Sequence, residues 1–166
     1  NPDLEAFIDE TDAIIHDLRD VVFNLHQSIS APVRSSRLRS AIIDVVEGSV
    51  GALGFTPALQ FEGPVDDAHV RPLAHAAALA VVREALSNVA RHAQADAASV
   101  TVAVTGLDVR IIVRDNGIGI SDADTMGNGR ANIATRAANL GGSARIYNAS
   151  PGPGAVVEWA APLDPP

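Results

Sequence analysis

Three short runs carry side chains whose types and spacing can do chemistry. They are Glu84, Asn88, Arg91 and His92, then Asp115 with Gly117 and Gly119, then Gly127 and Gly129 with Arg130 behind them. On an α-helix, positions 84, 88 and 91 stand at i, i+4 and i+7, so an acid, an amide and a base line up along one face. Such a row can be a solvated stripe. Residues 73–82 just upstream are almost entirely apolar, however, and a helix buried on more than one side has reason to aim its polar pair at a ligand. Asn88 then offers an amide oxygen to Mg²⁺, a hard cation commonly shared between protein oxygens and phosphates. Glu84 can orient water on that ion or act as a general base, and Arg91 and His92 can screen phosphate charge.

Asp115 ends a strand-like run and opens Asn116-Gly117-Ile118-Gly119-Ile120. A carboxylate there can be a turn former. It can also accept a hydrogen bond from an exocyclic amine such as that of adenine, an interaction of about 1.5–3 kcal/mol for a charged acceptor. Gly117 and Gly119 can take positive φ and let backbone amides approach a ligand. The Gly127-Asn128-Gly129 turn opens another helix, and a helix N-terminus behind flexible glycines is a ready phosphate site.

The elements that must position these groups follow from periodicity. Leu38, Ile42, Val45 and Leu53 predict a helix weakened at its end by Gly51 and Gly54. Thr56 to Phe61 reads as a strand and Pro64 to Ala68 as a loop. Val70 to Ala93 reads as a long Ala-rich helix, with Pro72 tolerable only in its first turn. Ser99–Val104 and Val109–Val113 alternate and predict a hairpin; Arg130 to Leu140 reads as a helix closed by Gly141-Gly142; Ser143–Asn148 and Ala155–Ala161 are the last strands. Five strands and three helices after residue 35 suggest one mixed sheet covered on one face. Ahead of them, Leu4, Ile8, Thr11, Ile15, Leu18, Val22, Leu25 and Ile29 form a heptad seam that needs a helical partner, and Pro32 breaks it.

Composition narrows the partners. The 166 residues are 47% hydrophobic but only 4% aromatic, so the core must be built from Ala, Val, Leu and Ile. The net charge of −8 is concentrated in residues 1–20, where seven acids face Arg19 alone, and argues against a nucleic-acid partner. The absence of cysteine excludes disulfides and thiolate metal sites and fits a reducing, cytoplasmic interior. No apolar run approaches 18 residues, so no membrane contact is expected of this chain, and its start at Asn1 suggests an excised piece.

Together, Glu84-x-x-x-Asn88-x-x-Arg91-His92, Asp115-x-Gly117-x-Gly119 and Gly127-x-Gly129 resemble the N-box and glycine boxes of the ATP-binding domain shared by sensor histidine kinases, gyrase-type ATPases, Hsp90 and MutL. Among these the chain looks most like a sensor histidine kinase of the NarL/DesK-like class, similar to mycobacterial dormancy sensors of redox state or oxygen. The resemblance implies a two-layer α/β sandwich of the Bergerat (GHKL) type, a mixed five-stranded sheet with three helices, preceded by a long coiled-coil dimerisation helix. It implies residues 1–31 as the second helix of the dimerisation bundle, 32–36 as a linker, 37–162 as the ATP-binding catalytic domain and 163–166 as a tail. ATP and Mg²⁺ are the implied cofactors, with Asp115 on adenine, Asn88 on the metal and the glycine boxes beside the phosphates. The implied partners are a second copy of the chain, through the N-terminal helix, and a response regulator.

Three departures stand out. Only six residues separate Ile120 from Gly127, giving a very short lid; Arg130 replaces the usual leucine, adding a phosphate contact; and Ala155 replaces a threonine often found beside the adenine carboxylate. Asp17-Leu18-Arg19-Asp20 echoes a phosphoacceptor box, yet arginine cannot accept the phosphoryl group. His16 and His26 lie beside the heptad seam, and the acceptor is expected upstream of this chain. The rival readings are a dimerising fold that has lost ATP binding and another ATPase of the superfamily, such as an anti-sigma serine kinase.

Overall fold

A computed structural model describes residues 37–66, 68, 70–121 and 128–163. The heptad helix expected over 1–31, the linker over 32–36, Gly127 and the side chain of Asn128 fall outside the described residues. The elements run in the order α1 (Leu38–Leu53), β1 (Ala58–Glu62), α2 (Pro72–Asn88) with a π-helical continuation (Val89–Ala93), β2 (Ala98–Val104), β3 (Asp108–Asp115), α3 (Asn128–Ala138), β4 (Ser143–Asn148) and β5 (Ala155–Pro162).

The five strands make one mixed sheet in the order β1-β2-β3-β5-β4. β1 and β2 are parallel, so the chain must cross over between them, and α2 is that crossover. All other neighbours are antiparallel. Alternation decides the faces: Val100, Val102, Val104, Val109, Ile111, Val113, Trp159 and Ala161 are buried toward the helices. Against them pack Leu38, Ile42, Val45 and Val46 of α1 and Ala74, Ala78, Val81, Val82, Ala85 and Leu86 of α2. Each large side chain fully removed from water here contributes about 1.5–3 kcal/mol. With so few aromatics, the alanines matter as spacers that let α2 approach the sheet closely.

Helix ends follow local chemistry. Gly54 closes α1 in the left-handed conformation, φ 78°, and its N–H donates to Val50 O at 2.9 Å. Pro72 occupies the first turn of α2, where its missing N–H is harmless, so the helix starts there rather than at Val70. Along α2 the buried face is broad but not complete, since Leu73 is 72% exposed. The larger departure from the sequence expectation is at the other end. The α-helical hydrogen bonding stops at Asn88, and residues 89–93 wind as a π-helix ending at Gln94, φ 51°. A π-helix holds more residues per turn than an α-helix, so the α-helical i, i+4, i+7 projection does not carry over unaltered from Asn88 to Arg91. Arg91 and His92 are both solvent-exposed, whereas Glu84 and Asn88 are half-buried.

Candidate functional site

The topology gathers the chemistry at one end of the sheet. β3 ends at Asp115, which pairs with Ala98 at the start of β2. Because α2 and its π turn lead directly into β2, the C-terminal end of that helix arrives at the same end. β5 runs antiparallel to β3, so its first residue, Ala155, and its neighbour Asn148 at the end of β4 lie there too.

Asp115 is 7% exposed, the one buried charged side chain among the described residues. Its Oδ1 accepts from the Gly117 N–H at 2.8 Å and from the Ala155 N–H at 3.3 Å. No donor among the described residues reaches its Oδ2. A buried carboxylate with one oxygen held by two peptide groups, and the other met by no donor among the described residues, can accept a hydrogen bond from a ligand. Ala155 lacks the hydroxyl expected by the family resemblance, and its peptide N–H supports Asp115 instead.

Glycine is required where the loop is clamped. A Cβ on Gly117 would collide with the carbonyl of Ala93, and Ile118 N–H donates to that same oxygen at 2.8 Å. A Cβ on Gly154, whose φ is 97°, would strike the carbonyl of Asp115. The loop after β3 is therefore wedged between the π turn and the β4–β5 connection. Asn116 adds a third tie, its Oδ1 accepting from Asp96 and Ala97 N–H groups at 3.2 and 3.0 Å.

At the entry to α3, a Cβ on Gly129 would meet the Glu84 carboxylate, and Asn88 Nδ2 lies 3.5 Å from the same point. Glu84, Asn88 and Gly129 are thus brought together, with Arg130 half-buried next in line. Among the described residues no three His, Cys, Asp or Glu side chains cluster as a metal site. The donors at hand are one carboxylate and one amide, a set suited to a hard cation that takes its remaining ligands from phosphate and water. Of the residues singled out in the sequence, the structure brings Glu84, Asn88 and Gly129 together and sets the Gly117 N–H against Asp115. The sequence missed Asn148, whose Oδ1 accepts from Ile120 N–H at 2.6 Å and whose Nδ2 donates to Ile120 O at 3.1 Å. Gly119, φ 77°, sits so close that an added Cβ would lie 2.7 Å from Asn148 Oδ1.

A separate hollow of roughly 620 Å³, lined by Arg145, Ile146, Tyr147 and Glu158, lies along β4 and β5 and shares none of these residues. There the Tyr147 hydroxyl donates to Glu158 Oε1 at 2.7 Å, and this bond, with partial desolvation and the nearby carboxylate charge, raises the phenol above its usual pKa of 10.0.

Residues 75–165, more than half of the chain, match the family described as histidine kinase-, DNA gyrase B- and HSP90-like ATPase, and the chain belongs to it. Its fold is that of histidine kinase catalytic domains. It is similar to the histidine kinase AdeS of Acinetobacter baumannii, with a TM-score of 0.64 and 15% identity over 92% of this chain and 78% of that one. It also resembles the histidine kinase domain of the Erythrobacter litoralis EL346 blue-light activated histidine kinase, with a TM-score of 0.59 and 20% identity over 82% of this chain and 67% of the other. A third likeness is to full-length ShkA in complex with AMPPNP, with a TM-score of 0.61 and 18% identity over 93% of this chain but only 37% of ShkA. No helix among the described residues is long and apolar enough to cross a membrane.

Proposed function

We propose that this chain is the catalytic ATP-binding part of a cytoplasmic sensor histidine kinase of the NarL/DesK-like class, with residues 1–31 as one helix of its dimerisation bundle. The observation that carries the nucleotide reading is Asp115: its Oδ1 is held by two peptide N–H groups while no described donor meets Oδ2. An adenine 6-amino group is the matching donor. Asn88 would hold Mg²⁺ through its amide oxygen, and Glu84 would orient the ion's water or act as a base. Gly117, Gly119, Gly127 and Gly129 would border the phosphates, with Arg91, His92 and Arg130 balancing their charge.

In the reaction so proposed, bound Mg·ATP supplies the γ-phosphoryl group. Its terminal P–O bond breaks as a P–N bond forms to a histidine outside this chain, ADP leaves, and the group passes on to a response-regulator aspartate. The protein's part is positioning and charge neutralisation. Calorimetry with a non-hydrolysable ATP analogue, with and without Mg²⁺, tests the reading. Binding should strengthen with the ion in the wild type and lose most of that gain in Asn88→Ala. A wild-type chain that ignores the analogue at millimolar concentration would overturn the proposal, and binding indifferent to both ion and substitution would overturn the metal assignment.

A further inference from the structure

The loop that carries Asp115, Gly117 and Gly119 has to end somewhere, and the structure shows where. Between Asp115 and Ile118 it is tied to the sheet through Ala155, to residues 96 and 97 through Asn116, and to the π turn through Ala93. At Ile120 the fastening changes kind. Both peptide groups of that residue are taken by one side chain, Asn148 at the end of β4, which accepts from Ile120 N–H and donates to Ile120 O. A primary amide facing a peptide in both directions copies the paired exchange of a narrow antiparallel bridge, without a further strand. Gly119 at φ 77° lets Asn148 approach this closely.

We propose that Asn148 is a positioning residue for the nucleotide site, holding the exit of the Asp115–Ile120 loop in its binding-competent arrangement. The β4–β5 hairpin then grips the loop at both ends. Ala155 holds its first residue by a peptide N–H, and Asn148 holds its last by a side chain. The second grip depends on side-chain chemistry and is therefore open to substitution. This inference rests on the nucleotide reading above for its functional half, whereas its structural half concerns the free protein alone.

Two variants separate the contributions. Asn148→Ala removes both bonds. Asn148→Asp keeps the acceptor for Ile120 N–H but sets a carboxylate oxygen against Ile120 O. Two modest hydrogen bonds selecting one loop arrangement correspond to roughly a ten-fold change in its population, and the same factor enters the apparent Kd. Hydrogen exchange at the Ile120 amide, measured without nucleotide, should accelerate about ten-fold in Asn148→Ala and less in Asn148→Asp. The Kd of the ATP analogue should rise about ten-fold in Asn148→Ala, while global unfolding followed through Trp159 fluorescence stays close to wild type. If Asn148→Ala loses the native Trp159 signal, the isosteric Asp variant decides alone. Unchanged Ile120 exchange would overturn the anchor. Faster exchange with Kd within two-fold of wild type would overturn its role in binding. If the wild type binds no nucleotide, the functional half falls with the reading it rests on, and the exchange data still judge the anchor.

Discussion

Replacing Asp115 by asparagine changes one atom's chemistry and almost no volume, which makes its consequences calculable. The two peptide donors from Gly117 and Ala155 converge on Oδ1. A carboxamide placed there must present its oxygen to them, because the flipped amide would set an NH₂ against two N–H groups. The orientation is thereby fixed, and the NH₂ occupies the place of Oδ2. On the proposed reading, an adenine 6-amino group would then meet a donor instead of a charged acceptor. The lost interaction is about 1.5–3 kcal/mol, which predicts a Kd for ATP raised roughly ten- to hundred-fold. Stability should change by only about 1 kcal/mol, since both peptide bonds to the side chain survive with a neutral acceptor. The same geometry predicts a shift in preference. Inosine triphosphate carries an oxo group where ATP carries the amine, so Asp115→Asn should narrow or invert the ATP-over-ITP ratio measured by competition calorimetry. Unaltered ATP affinity and an unaltered ratio, in a protein whose Trp159 signal is native, would refute the reasoning.

Two glycines predict opposite outcomes. Gly129→Ala pushes only on the flexible end of Glu84, so thermal unfolding should stay within about 1 kcal/mol of wild type, while the turnover proposed to need Mg²⁺ should fall, read by ADP release in the full-length protein. Gly154→Ala drives a methyl into the Asp115 carbonyl at φ 97°, so urea unfolding should show a loss of about 2 kcal/mol or more. Leu86, 1% exposed between α2 and the sheet, should lose about 3 kcal/mol on truncation to alanine in the same assay. Tyr147 is the one tyrosine of the chain, so ultraviolet titration of phenolate reports it alone. Its midpoint should lie above 10.0 and return toward that value in Glu158→Gln. A raised folded pKa means that the bond's stabilisation is complete below the unfolded value and fades as pH climbs through the folded one.

How much of this was legible in the chain depends on the reach of each interaction. Asp115, Gly117 and Gly119 lie within five residues, and Glu84 and Asn88 within one helical turn, so local spacing was enough to single them out. The strands, too, announced themselves by alternation, and in the structure Val100, Val102 and Val104 are the buried members of one such run. The supports of the site did not. Ala155 reaches Asp115 across 40 positions and Asn148 reaches Ile120 across 28, both delivered by strand pairing. Nothing beside Asn148 marks it, and Ala155 stood out only for the hydroxyl it lacks, not for the peptide N–H it supplies. The π turn was equally silent: Val89 to Ala93 contains neither Gly nor Pro, and the sequence reading ran an α-helix straight through to Ala93.

The single parallel pairing in the sheet also sets a timetable for assembly. β2 with β3, and β4 with β5, can zip across brief connections, whereas β1 gains its neighbour only once the stretch from Gly63 to Ala97 has collapsed into place. Glu84 and Asn88 ride on that stretch. In a refolding experiment we therefore expect tryptophan emission, reporting a residue flanked by β3 and β4, to recover before the capacity to bind a labelled nucleotide. Simultaneous recovery of the two signals would argue that the crossover helix docks no later than the hairpins close.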